Sequence, residues 1–209
     1  MKSRSLVAAL AASVPLLLAA PAAQAAVFVY EATLSGPSED PPNASPGTGW
    51  ATVTYDDAAM TMRVEAEFTG LTGLVTNAHI HCCTADPLLG NAGVATTTPT
   101  FPGFPSGVTS GSYDMTFDLL QASSFNPNFV TLNGGSLASA TAALFAGMDD
   151  GEAYFNIHSS SFPGGEIRGF LLPRSVPEPG SLALLALGAA ALAGAAHRRR
   201  ARREPGAQG

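Results

Sequence analysis

The sequence predicts an all-β fold: an antiparallel β-sandwich of short strands with one short helix. Three observations lead there. Apolar and polar residues alternate over several short runs, the period of a strand with one buried face. The connections between these runs collect most of the 22 glycines and 16 prolines of the chain. Only one stretch repeats its apolar residues at helical spacing. A cleavable N-terminal signal helix and an apolar C-terminal helix flank this fold.

Residues 1–25 read as a signal peptide. Lys2 and Arg4 form a basic head, Leu6 to Ala20 is apolar, and Ala23-Gln24-Ala25 is a small-x-small cleavage pattern. At the other end Val176-Pro177-Glu178-Pro179-Gly180 precedes an uncharged apolar run, Ser181–Ala196. His197 and then Arg198, Arg199, Arg200, Arg202 and Arg203 follow. Such a run spans about 24 Å as a helix, a marginal fit to a hydrocarbon core of about 30 Å. The arginines place its end on the cytoplasmic side. This layout resembles the PEP-CTERM sorting signal, with Pro177, Glu178 and Pro179 as its motif. The resemblance implies an exosortase-type sorting enzyme as a partner and membrane anchoring through the tail helix before processing. It also implies delivery to the cell surface or extracellular matrix of a Gram-negative bacterium. The division is then residues 1–25 signal peptide, 26–173 folded domain and 174–209 sorting signal.

Between Ala26 and Pro179 only Arg63, Arg168 and Arg174 face fifteen acidic residues, a formal charge of −12. A surface this anionic repels phosphate backbones and excludes nucleic acid as a partner. A domain of about 150 residues buries a sound core without staples. Its two cysteines, Cys82 and Cys83, are adjacent, so no long-range disulfide within the chain is available. A vicinal ring, a reduced pair, a bond between chains and a soft-metal site stay open to them, the vicinal ring being the expectation in an oxidising compartment.

Taken in order, Val27–Leu34 alternates with Phe28, Tyr30, Ala32 and Leu34 on one side. Ser35–Thr48 is a loop with turn residues at almost every step. It carries Glu39-Asp40, which lacks the spaced oxygen ligands of a calcium loop and reads as solvated. Gly49–Tyr55 is the second strand, and Thr61–Phe68 the clearest: Met62, Val64, Ala66 and Phe68 alternate with Thr61, Arg63, Glu65 and Glu67. A His-x-His strand around Asn77–His81 follows. Thr84–Gly111 is a long Gly/Pro/Thr-rich segment whose Phe101 and Phe104 predict a packed flap beside the histidines. Gly111–Leu120 resumes the alternation. Ser136–Met148 is the helix, capped by Ser136, striped by Leu137, Ala140 and Leu144, with Gly147 near its stop. Ala153–His158 and Glu166–Leu172 are the last strands, joined through Pro163-Gly164-Gly165.

EATLSGPSEDPPNASPGTGWATVTYD, the AHIH of Ala78–His81 and YFNIHSSSFPGGEIRGFL resemble the chordin-type (CHRD) domain over nearly all of Val27–Leu172. The resemblance implies an extracellular β-rich module rather than a characterised catalyst. The chain departs from it in Cys82-Cys83 and in the long Thr/Pro flap. The His-x-His strand is also similar to that of copper–zinc superoxide dismutases, although a bridging histidine and a full second ligand set are missing.

The candidate site is a metal site of His79, His81 and His158. Side chains at i and i+2 of a strand share a face. If Ile80 and Ile157 enter the core, the three imidazoles gather on one outer surface as a three-nitrogen set suited to copper or zinc. Glu166, Cys82 and Cys83 are further candidate ligands. The bland alternative has the histidines bonding loop backbone and acids beneath the flap. Arg168 is expected to tie the final strand to an acidic loop, with Glu166 beside it. No nucleophile elbow or phosphate loop is present, and no catalytic residue is assigned. The expected function is a non-catalytic surface or matrix module binding exopolysaccharide, a surface protein, or a copper or zinc ion. The alternatives are a copper/zinc redox enzyme of superoxide-dismutase type and a purely structural matrix protein.

Overall fold

The computed structural model describes residues 26–174 and, beyond them, the helical positions 188, 189 and 192. The signal peptide, the Pro177-Glu178-Pro179 motif and most of the expected tail helix lie outside the described residues. Among those that are described, no helix is long and apolar enough to cross a membrane.

The strands are β1 (Val27–Ser35), β2 (Thr48–Asp56), β3 (Thr61–Thr69), β4 (Val75–His81), β5 (Gly111–Asp118), β6 (Tyr154–Ser159), β7 (Ile167–Phe170) and β8 (Leu172–Pro173). Helices α1 (Pro127–Leu132) and α2 (Leu137–Asp149) lie between β5 and β6. All strands join one antiparallel sheet, ordered β4-β6-β7-β1-β2-β3-β5 with β8 also on β1. The sheet curls around one core, the sandwich architecture expected from the alternation.

The alternation decides which face is buried. Met62, Val64, Ala66 and Phe68 of β3 point inward, as do Tyr30, Ala32 and Leu34 of β1. Arg63 on the wet face bonds Asp114 of β5 and Glu65. Phe28 keeps the apolar period but is half exposed, stacked on Tyr55 at the end of the sheet. Helix α2 closes the core with Ala140, Leu144, Phe145 and Met148. Its Phe145 ring stacks on Tyr55 at 3.8 Å, and Asp149 accepts from the Tyr30 hydroxyl. Ser136 and Ser139 form a capping box at its start. The helix runs through Gly147 to Asp149. Helix α1 is an addition to the single helix read from periodicity. Asn126 caps it and Pro127 occupies its first turn, but six residues are too few to show an apolar stripe.

The flap, residues 84–110, does not form a layer of its own. It runs along the edge of β4 and satisfies that strand's backbone. Ala95 and Phe101 amides donate to Ile80 and Ala78 carbonyls, while Thr96 and Thr100 hydroxyls accept from the Ile80 and Ala78 amides. An otherwise bare strand edge is thereby covered. Phe101 and Phe104 do not lie beside the histidines. They enter the core on the opposite face of β4 and β6, against Phe155, Tyr113 and Phe68. Burying two phenyl rings outweighs any preference for the polar layer.

The two halves of the sheet meet where β7 and β8 approach β1. Ser35 pairs with Arg168, and Tyr30 and Glu31 pair with Pro173 and Leu172. At Gly169 a side chain would run into the Thr33 carbonyl. Beside this seam the Glu166 carboxylate is fully buried. It accepts from Ser45 Oγ at 2.6 Å and from the Thr72 and Gly73 amides. Burial pushes this carboxyl up, but the bonds from Ser159, Ser45, Thr72 and Gly73 together hold it below its ordinary value.

Two outcomes test this seam. Gly169→Ala destabilises the domain by about 2 kcal/mol or more in denaturant unfolding, because backbone rather than a soft side chain blocks the new methyl. Glu166→Gln costs about 2 kcal/mol at neutral pH, the scale of lost charged hydrogen bonds. A carboxylate held low contributes stability above its unfolded value of 4.5 and loses it as the pH falls through the native value. Wild-type and Glu166→Gln stabilities therefore converge on acidification.

Candidate metal centre

Strands β4 and β6 are antiparallel neighbours, with Asn77 opposite His158, His79 opposite Asn156 and His81 opposite Tyr154. The alternate pairs, Ala78 with Ile157 and Ile80 with Phe155, are fully buried in the core. Directly opposed residues share a face, so His79, His81 and His158 all project from the other side. The ring centroids lie 4.6 Å (His79–His81), 4.7 Å (His79–His158) and 5.9 Å (His81–His158) apart. One ligand atom from each falls within 4.8 Å of the others.

This face is not an outer surface. The three histidines are only 4, 9 and 7 % exposed, because the flap and the turn after β6 lie over them. Each Nδ1 is bonded to a carbonyl of these segments: His79 to Pro99 at 3.1 Å, His81 to Ala92 at 2.8 Å and His158 to Pro163 at 2.9 Å. A carbonyl only accepts, so each Nδ1 carries the proton. In a neutral imidazole Nε2 is then a lone pair. The Nε2 atoms of His79 and His158 face each other at 3.0 Å, and that of His81 is buried with no partner among the described residues. Burial, with smaller contributions from His81 and His158, pushes His79 down to about 3. Burial, opposed by the Ala92 bond and aided by His158 and Arg168, pushes His81 down to about 4, and burial likewise lowers His158. The rings are therefore neutral at pH 7, and three nitrogen lone pairs converge.

A family model for the CHRD domain matches residues 30–171, and one for the PEP-CTERM protein-sorting motif matches residues 175–200. The chain belongs to the CHRD-domain family. Its sorting motif marks an exported protein with a transient membrane anchor, on which exosortase-type enzymes act. No curated protein and no solved structure matches it.

Within the CHRD domain the other candidate ligands are engaged elsewhere. Glu166 turns to Ser45, Thr72 and Gly73 rather than to the histidines. Gly165, at φ 137°, re-aims the chain just before it. Cys82 and Cys83 are bonded to each other, so neither offers a thiolate. Their ring presses on α2 at Gly147, where a Cβ would stand 2.5 Å from both sulfurs. Gly147 is thus a contact requirement rather than a helix stop.

The layer around the imidazoles also holds Tyr154 of β6 and Arg168 of β7. The Tyr154 ring lies parallel to His81 at 4.7 Å, and the Arg168 guanidinium stands 4.6 Å from the Tyr154 centroid. Arg168 donates to the Ser38 carbonyl at 2.6 Å, the Gly90 carbonyl at 3.1 Å and Asn91 Oδ1 at 2.8 Å. Its carboxylate neighbour is Glu39 at 3.9 Å, not Glu166. The tie to an acidic loop is present, but Glu39 is buried rather than solvated. Burial pushes its carboxyl up to about 7, with Arg168 and Asn156 pulling the other way. Nothing local in Glu39-Asp40 distinguishes the buried carboxylate from the exposed one; only the fold of the loop onto β7 does.

Arg168→Ala leaves Glu39 buried without its cation and Tyr154 without its cover. Equilibrium unfolding should show a loss of about 3–5 kcal/mol. Arg168→Lys, which lacks the planar fork, should recover only a minor part of it.

Proposed function

We propose that this exported CHRD domain is a non-catalytic surface or matrix module that holds one copper or zinc ion through the Nε2 atoms of His79, His81 and His158. The observation that carries the reading is the fixed tautomer of all three rings. Their protons are spent on the Pro99, Ala92 and Pro163 carbonyls. Three lone pairs are left in a buried group, two of them 3.0 Å apart. Lone pairs at that distance repel unless a cation stands between them. A proton is a poor candidate, since burial lowers all three imidazoles. A metal ion of borderline softness suits an all-imidazole set and displaces no proton from it at pH 7.

Burial of the whole cluster favours retention over turnover, since a dismutase-type cycle needs a coordination position open to substrate. The formal charge of −12 between Ala26 and Pro179 attracts cations to the domain. The sorting motif supports residence at the cell surface or in the matrix of a Gram-negative bacterium, where exopolysaccharide and surface proteins are the available partners.

Metal analysis of the mature protein purified from its native envelope tests this. The expected result is about one equivalent of copper or zinc per chain, as in other three-histidine sites, with no superoxide turnover by the loaded protein. His81→Ala and His158→Ala should each weaken binding by on the order of 100-fold or more, since each removes a direct ligand. Millimolar-weak binding shared by wild type and His81→Ala would leave a purely structural matrix protein.

A further inference from the structure

Among the described residues, three buried side-chain atoms have no hydrogen-bond partner: Glu39 Oε1, His81 Nε2 and Asn156 Oδ1. The three-histidine reading accounts for the second, and the role assigned to Asn156 rests on that reading. The third atom belongs to a residue only 2 % exposed that stands directly opposite His79 in the ladder and two positions before His158 on the same strand face. Opposed residues have Cβ atoms about 5 Å apart, so Asn156 is a member of the imidazole group by register.

The orientation of its amide is set by chemistry. The Asn156 amide stands against the Glu39 carboxyl group and favours its charged form. Its Nδ2 and both Glu39 oxygens crowd the same point, 2.7 Å from where a Cβ at Gly165 would be. Nδ2 is the amide atom placed beside the Glu39 oxygens, the arrangement that suits the ionised carboxylate, which only accepts, and the amide oxygen is turned away from Glu39. None of the neighbouring rings can donate to that oxygen. Each has its single proton on Nδ1, already given to a carbonyl. Leaving a buried amide oxygen unsatisfied is costly, and the imidazoles on the same face of β4 and β6 present further lone pairs. A cation satisfies all of them together.

We propose that the Asn156 side-chain oxygen completes the His79–His81–His158 site as a fourth donor and biases it toward zinc over cuprous copper. Three imidazoles and one oxygen make a four-coordinate set of donors that zinc accepts, with the amide oxygen in the place a water takes at open three-histidine sites. Cuprous copper, a softer ion, gains little from an amide oxygen. Glu39, itself tied to Arg168, is then a positioning residue that holds the amide in the orientation the ion needs.

The test uses the full chain, titrated separately with zinc and with cuprous copper against competing chromophoric chelators, as wild type, Asn156→Leu and Asn156→Ser. The expected result is a 10- to 100-fold loss of zinc affinity in both variants, the range for losing a supporting contact at a metal site. Cuprous affinity should stay within about threefold. The serine variant is smaller than the residue it replaces and gives a folded comparison if the leucine variant does not pack. Unchanged zinc affinity would overturn the fourth-donor assignment and leave the three histidines intact. A parallel fall for both metals would also overturn it, reducing Asn156 to a structural residue. Absence of binding of either ion by wild type would remove the three-histidine reading itself, an outcome distinct from both.

Discussion

Strand β6 is buried on both faces, and the rest of the molecule is arranged to make that tolerable. One face, Phe155 and Ile157, is ordinary hydrocarbon core. The other carries Tyr154, Asn156 and His158, each less than a tenth exposed. Polar groups taken from water must find partners. The partners come from loops: Ala92 and Pro99 of the flap, Pro163 of the turn, and Ser38 and Glu39 of the loop after β1. These loops are long because they have to reach over the sheet. Their glycines, prolines and threonines supply bends and hydroxyl groups for backbone that has no ladder of its own.

Most of the strand plan was legible in the residues. The alternation in Thr61–Phe68 could be satisfied only by one wet and one dry face, and Ile80 and Ile157 could be read as inward residues of their strands. The convergence of His79, His81 and His158 depends on the same parity. Depth was not legible. An outward-facing residue on a strand is normally solvated; the flap expected beside the histidines hinted at a cover, but nothing in Asn77–His81 says how deeply it buries them. Local alternation shows which side a residue takes and says nothing of what lies above that side.

The same limit explains the residues whose partners differ from those expected. Glu166 and Arg168 sit two apart and suggest a pair, but Gly165 turns the chain just before the strand and Glu166 leaves the face. Glu39 and Asp40 look alike as neighbours in a proline-rich loop, yet one lies under Arg168 and the other in water. Helix α1 had an adequate start signal in Asn126-Pro127 and no length in which to show a period. Glu166 and the imidazoles are buried in opposite ways. Glu166 is stabilised by a full set of donors, whereas the imidazoles are stripped of water and left with nitrogen lone pairs directed at one another.

The bond between residues 82 and 83 begins immediately after His81. It is the part of β4's end that meets α2, at the one helix position without a side chain. Such a ring closes only where thiols are oxidised, so within the cytoplasm that wedge consists of two separate thiols. Maturation of the polar layer therefore has a geographical component. The end of the strand bearing His81 acquires its final seat against the helix only after export into an oxidising compartment.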